Sequence, residues 1–321
     1  MKQFTFGVLA YNVEPYIIEC LESIKYQIQS FGEDYLCYLI IAEDCSTDRT
    51  LALIEYWIEK NKHLFASVEV IKNIENKGLV QNIIGLYKKI NTVNFKVIDG
   101  DDIFYKNNIF PLLENTDIVV TQTVHFKNGH TLSRDRNYFF DKLILDKFPL
   151  DILREEYTYT HIVDTPGVFF KRKFLKEGLY ESMSNYKMLD DIPRWNYIFN
   201  QEMESIHISD NPYILYRIGS GVSTNSSHEK RLVFDSDVRA LNKSRKKDSH
   251  FKRRYRRFKH SLFKIIDKCY YKKYSSVLKT LEYNISKVIN EEGDCYLQFI
   301  IDKSEMIKKE FETNYRIINN K

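Results

Sequence analysis

Phe95-Lys96-Val97-Ile98-Asp99-Gly100-Asp101-Asp102-Ile103 sets an apolar run directly against three carboxylates. Phe95 to Ile98 has the length and residue types of a buried strand. The acids that end it repel one another, and the usual remedy is a divalent cation. Aspartates on a turn, with Gly100 permitting close backbone approach, offer hard oxygen ligands suited to Mg²⁺ or Mn²⁺ that leaves positions open for substrate phosphates. A solvated acidic turn is the plain alternative. The Ca²⁺ loop of the EF-hand is not matched, because no Glu stands at the required later position.

Outward from this strand, Phe4 to Ala10, Tyr38 to Ala42, Val68 to Ile71 and Ile118 to Val124 are further short runs of strand type. Between them Leu21, Ile24, Ile28 and Phe31 repeat at helical spacing, as do Leu51, Ile54, Trp57 and Ile58, and then Leu79, Ile83, Leu86 and Ile90. Strands alternating with helices predict an α/β fold with a mostly parallel sheet flanked by helices, since parallel strands need crossover connections. Sites in such sheets lie at the carboxyl ends of the strands.

The second strand ends in Ala42-Glu43-Asp44-Cys45-Ser46-Thr47-Asp48. Ser46 or Thr47 reads as a helix N-cap, with Asp48 in the first turn. Glu43 and Asp44 precede that cap, and two acids on a strand end are costly unless something pairs with them. A nucleobase edge offering N–H donors would suit them. Further on, Asp190-Asp191-Ile192-Pro193-Arg194-Trp195 reads as a helix start, with either Asp as N-cap and Trp195 and Ile198 in the core. Tyr216-Arg217-Ile218-Gly219-Ser220-Gly221-Val222-Ser223 is rich in small residues and reads as a mobile loop. From there Arg217 could clamp a diphosphate and Ser220 or Ser223 donate hydrogen bonds, the alternative being one solvated Arg. His161 and His207 read as structural.

The 321 residues, 43% hydrophobic and 14% aromatic, supply a sizeable core and exclude disorder for most of the chain. No apolar run approaches the roughly 18 residues of a membrane span, and Phe4 to Ala10 is too short for a signal peptide, so the mature chain is expected to begin at Met1. Five cysteines without a C-x-x-C pair point to a reducing, cytoplasmic compartment. The net charge of +4 is uneven: Lys243 to His260 carries about +9 and the remainder about −5. Within that block Phe251, Tyr255 and Phe258 form an aromatic stripe, which suits an anionic membrane surface or a nucleic acid, a solvated helix being the plain alternative. Beyond it, Leu278 to Val288 and Leu297 to Ile318 read as two amphipathic helices with a turn at Gly293. They could pack on the catalytic unit or join two copies in a homo-oligomer.

Val8-Leu9-Ala10-Tyr11-Asn12, Glu43-Asp44-Cys45-Ser46-Thr47-Asp48, Asn76-Lys77-Gly78 with Asn82, and Asp99-Gly100-Asp101-Asp102 together resemble the family 2 glycosyltransferases of GT-A fold. The likeness covers about the first 125 residues and continues more weakly through Thr165-Pro166-Gly167-Val168-Phe169, Asp190-Asp191 and Tyr216-Arg217, ending near residue 230. It implies a catalytic domain over 1–228, with 1–125 as the donor half and 126–228 as the acceptor half, then a helical C-terminal region over 229–321.

The resemblance implies inverting transfer from a nucleotide diphosphate sugar, UDP-sugar favoured, to a hydroxyl of a glycan or lipid-linked acceptor in surface polysaccharide or glycoconjugate synthesis. Ala10, Tyr11, Glu43 and Asp44 would surround base and ribose. Asp101 would be the principal ligand of Mn²⁺ or Mg²⁺, with Asp99 toward ribose or metal and Asp102 beside them. Asp191, favoured over Asp190, would be the base, and Arg217 would meet the diphosphate. The first acid of the base-binding pair, often Asp in this family, is Glu43 here. The competing readings are a binding protein that keeps the fold without turnover, and a basic membrane- or nucleic-acid-binding protein. The expected location of the transferase is the cytoplasm, with the inner face of the cell membrane as the peripheral alternative. Dinucleotide dehydrogenases and P-loop enzymes are disfavoured, since neither glycine-rich motif is present.

Overall fold

The structure, a computed structural model, describes residues 1–132, 165–219, 228–245 and 291–316. Four strands, β1 (Lys2–Ala10), β2 (Tyr35–Glu43), β3 (Ser67–Lys72) and β4 (Asn94–Asp99), form a parallel sheet in the order β3-β2-β1-β4. Helices α1 (Ile17–Phe31), α2 (Thr50–Asn61) and α3 (Leu79–Lys89) make the crossovers. Every β1 residue from Phe4 to Ala10 is buried, as a strand covered on both faces must be. Phe4, Phe6, Val8 and Ala10 pack on one face with Ile18, Leu21 and Trp57, while Leu9 turns to the other with Val80, Ile83 and Leu86. The α/β class and all five strands read from the sequence are present.

The fifth run does not join that sheet. It is β6 (Ile118–Lys127), the backbone of a second, mixed sheet ordered β5-β9-β6-β7, with β5 (Ile103–Phe104), β7 (His130–Thr131) and β9 (Ile206–Arg217). A short strand, β8 (Val168–Phe170), pairs antiparallel with β6. β9 contradicts the loop expected around Tyr216 and Arg217. Asn211 and Pro212 interrupt its pattern like a turn, and the structure absorbs them as irregularities in the β6–β9 register near Gln122.

Two local expectations are also corrected. Neither Ser46 nor Thr47 caps α2: the helix starts at Thr50 after Arg49, Asp48 Oδ1 accepts the Thr50 N–H at 3.0 Å, and Ser46 Oγ instead accepts the Asn12 N–H at 3.0 Å. Gly293 is no turn but lies inside a helix over 291–316. A Cβ there would sit 2.9 Å from Thr131 Cγ2, so glycine lets this helix press on β7. The next residue, Asp294, accepts hydrogen bonds from the Thr131 N–H and hydroxyl.

The remaining α-helices among the described residues are α4 (Glu177–Ser184), α5 (Asp191–Phe199), α6 (His228–Arg245) and the C-terminal α7, residues 291–316. The apolar stripe of α7 is covered by the chain itself: Leu297 and Ile300 pack with Ile103 and Tyr105, and Phe311 joins the cluster of α1 and α2. Leu278 to Val288, His161, Ser220, Ser223 and residues 246–260 of the basic block lie outside the described residues. His207 is on β9, opposite Val119. Among the described residues no helix is long and apolar enough to cross a membrane.

Candidate active site

β1 and β4 are neighbours, so their carboxyl ends open together: Leu9 lies opposite Asp99, and the Gly100 N–H donates to the Leu9 carbonyl at 2.8 Å. A Cβ on Gly100 would fall 3.0 Å from that same oxygen and 3.1 Å from side-chain atoms of Ile17 and Val13. The tight fit explains the glycine. The Asp102 N–H closes the turn on the Asp99 carbonyl at 3.0 Å, and Asp99, Asp101 and Asp102 bring carboxylate oxygens within 4.8 Å of one another. Burial, and then repulsion by Asp101 and Asp99, pushes the Asp102 carboxyl well above the usual carboxylate range. Asp99 reaches solvent at the end of β4, yet desolvation by the surrounding protein, reinforced by the charges of Asp101 and Asp190, raises it to about 7. Three oxygen donors crowded at one strand end, two of them resisting ionisation, fit a hard divalent cation.

Arg217 reaches this turn from the second sheet. Its backbone N–H donates to Asp102 Oδ1 at 2.9 Å and its Nε to the Asp101 carbonyl at 2.8 Å, while its guanidinium pairs with Glu19 of α1. The guanidinium lies between the rings of Tyr16 and Phe126, 4.2 and 4.3 Å from their centroids. The side chain is therefore held inside the fold, and not on the mobile loop expected of it. Lys308 of α7 adds a second cation 3.9 Å from Glu19 Oε1.

At the end of β2, Ala10 is opposite Glu43 and accepts the Asp44 N–H at 2.9 Å. Both acids are 2% exposed. Glu43 Oε1 accepts the Ser46 N–H at 2.7 Å. Asp44 accepts from Asn73 Nδ2 at 2.8 Å and from the Lys77 and Gly78 N–H groups at 2.9 Å each. Asn82 Nδ2 donates to the Ala42 carbonyl at 3.0 Å. The partners these buried acids require are thus supplied within the chain, and the Asn76-Lys77-Gly78 stretch folds onto Asp44. Gly78 has φ +81°, a region that favours glycine. Tyr11, 37% exposed, is the aromatic left facing solvent beside this wall.

Asp190 and Asp191 open α5, Asp190 in the N-cap position without a side-chain cap bond. Asp190 Oδ2 accepts from Arg194 Nη2 at 2.6 Å, and Arg194 Nη1 donates to the Tyr87 hydroxyl at 2.8 Å. Burial raises the Asp190 carboxyl against the pull of Arg194. Asp191 is half-buried, with Oδ1 on the Ile192 N–H at 2.6 Å. Asp190 lies close enough to Asp99 for its charge to help raise the Asp99 carboxyl, so the start of α5 neighbours the end of β4. Sequence reading missed Arg194, although its i, i+4 spacing from Asp190 is a visible signal. It also missed Glu19 and Tyr87, which nothing local singles out.

Residues 5–179, more than half of the chain, match glycosyl transferase family 2. The chain belongs to that family. The family 2 match runs from β1 into α4 and so contains the β2 and β4 ends described above, while α5 and β9 lie beyond it. The chain is 32% identical over 161 residues to a teichoic acid poly(glycerol phosphate) polymerase of Staphylococcus epidermidis, an alignment covering 49% of this chain and 19% of that protein. It therefore spans about a fifth of the length of that curated relative. Among solved structures it is similar to S. aureus TarS 1-349 in complex with UDP, at 20% identity and a TM-score of 0.48, covering 68% of this chain and 61% of that one. For the same protein with UDP-GlcNAc the values are 19%, 0.49, 71% and 62%.

Proposed function

We propose that this family 2 chain is an inverting, metal-dependent glycosyltransferase that moves a sugar from a nucleotide diphosphate sugar to a hydroxyl of a glycan or lipid-linked acceptor. The observation that carries the proposal is the cluster of Asp99, Asp101 and Asp102 at the end of β4, with Asp190 at the start of α5 close enough to act on the charge of Asp99.

Asp101, with Asp99 and Asp102, would hold Mn²⁺ or Mg²⁺. The cation would offset charge on the leaving diphosphate, a contribution of several kcal/mol. The wall of Ala10, Tyr11, Glu43 and Asp44 would receive base and ribose. Since the Asp44 oxygens already accept three protein donors, its part in reading the base is to fix the 73–78 segment, leaving the exposed Tyr11 ring as the stacking surface.

Asp191 is the base in this reading. Asp190 is committed to Arg194 and would give up that ion pair on taking a proton, whereas Asp191 is the half-buried acid beside it. Attack from the face opposite the diphosphate inverts the anomeric centre and needs no covalent enzyme intermediate. UDP-sugars are favoured as donors because uridine donors are the commonest in the family. The 32% identity to a protein named as a teichoic acid polymerase supports cell-surface polymer synthesis as the setting. The charge of about +9 over Lys243 to His260 supports encounter with a lipid-linked acceptor at an anionic membrane surface.

The test is a panel of nucleotide sugars, with Mn²⁺ and with chelator, scored for thermal stabilisation and donor hydrolysis. The proposal expects at least one donor to bind only with metal, and Asp101→Asn to abolish that binding in calorimetry. Undiminished affinity in Asp101→Asn refutes the metal role. A panel with no binder refutes the transferase.

A further inference from the structure

Helix α6 is polar along most of its length, and among its residues of described burial only Asp237 and Leu241 are buried. They are four apart and so share one face. Leu241 packs with Tyr186, Leu189 and Ile192, which flank the start of α5. Asp237 does something more specific: its Oδ2 accepts three successive backbone N–H groups, those of Lys187, Met188 and Leu189, at 2.9, 2.7 and 3.1 Å. Three consecutive amides converging on one carboxylate oxygen form an anion nest, and charge-assisted bonds of this kind are about twice as strong as neutral ones. The residues that follow the nest are Asp190 and Asp191.

From this geometry we propose that Asp237 is a positioning residue for the acceptor carboxylates, locking the 187–189 turn that sets Asp190 and Asp191 at the start of α5. The inference rests on the transferase reading above. It assigns a role in the reaction to α6, downstream of residues 5–179 that match the family. Without the carboxylate the three N–H groups lose their common acceptor, and the turn is free to take up other geometries. A base displaced by about 1 Å costs on the order of 100-fold in rate while leaving the donor wall untouched.

The experiment compares the full chain with Asp237→Ala and Asp237→Asn, using whichever donor of the UDP-sugar panel the wild type turns over with Mn²⁺. Asp237→Ala is expected to lower kcat about 10- to 100-fold, with donor KM and calorimetric stoichiometry within twofold of wild type. Amide exchange should rise locally over residues 185–192. Asp237→Asn keeps the shape and one acceptor oxygen, so most of the rate should return. An unchanged kcat in folded Asp237→Ala, a loss of donor stoichiometry in parallel with kcat, or unchanged exchange at 187–189 overturns the role. A wild type inert with every donor overturns the transferase reading and this role with it, whereas an active wild type indifferent to Asp237→Ala overturns this role alone.

Discussion

The backbone N–H of Arg217 donates to Oδ1 of Asp102 at 2.9 Å, tying the last residue of β9 to the acidic turn after β4 across 115 residues of sequence. The second sheet thereby holds the candidate metal ligands of the first. The same arginine ion-pairs with Glu19 of α1, so three elements meet on one guanidinium.

Arg217→Ala should therefore act on stability before it acts on ligand binding. It leaves Glu19, 8% exposed, without its guanidinium, and breaking a buried pair costs roughly 3–5 kcal/mol. Lys308, 3.9 Å from Glu19, places the expected loss near the lower end. Urea unfolding measures it. A loss under 1 kcal/mol would mean the pair is exposed to water in solution and that Arg217 is free to serve as the diphosphate clamp.

Asp191→Asn and Asp190→Asn should separate two roles that one acidic pair presents together. Asp191→Asn is expected to keep donor affinity and melting temperature while lowering transfer by about 10²- to 10⁴-fold, the range for losing a general base. Asp190→Asn leaves the 5% exposed Arg194 short of its counter-charge and should lower the melting temperature as well. Steady-state kinetics beside thermal melts would decide. Full transfer by Asp191→Asn would shift the base to Asp190.

What the sequence made legible follows from where the information is local. Strand and helix in the first 125 residues are written in apolar periodicity, and the Asp99-Gly100-Asp101-Asp102 turn is contiguous, so both could be read. The surroundings of Asp190 and Arg217 are assembled from distant pieces. Pro212 masks β9, and Asp237 contacts the 187–189 turn only because α6 folds back some fifty residues later. Gly293 shows the converse error: a residue that breaks helices in isolation is retained inside α7 because Thr131 leaves no room for a side chain.

The crowded aspartates give the metal-free chain a pH signature. Asp99 is raised to about 7 in the folded state, against about 3.9 for an unperturbed Asp. The folded chain thus binds more protons than the unfolded one in this window, so this group's contribution is complete below about pH 4 and is lost as pH rises toward 7. The comparison is wild type against Asp99→Asn in chelator: the variant should gain stability relative to wild type between pH 5 and 7.5. Mn²⁺ should reduce the difference by favouring the ionised carboxylates. Parallel pH profiles would remove the burial argument for Asp99.

Phe311 tests whether α7 belongs to the catalytic unit. Its ring, 5% exposed, meets Tyr56 edge-on at 5.3 Å and has the Arg49 guanidinium 5.9 Å away, while Arg49 pairs with Glu312 and Lys60 with Glu310. Those ion pairs are exposed and worth little each, so the apolar contact carries the docking. Phe311→Ala is expected to cost about 3–5 kcal/mol, the range for emptying a buried phenylalanine site, and to lower the single unfolding midpoint of the chain without changing its size in solution. A helix whose stripe served another copy would respond otherwise: the variant would dissociate in size-exclusion chromatography and leave the catalytic unit's own midpoint in place.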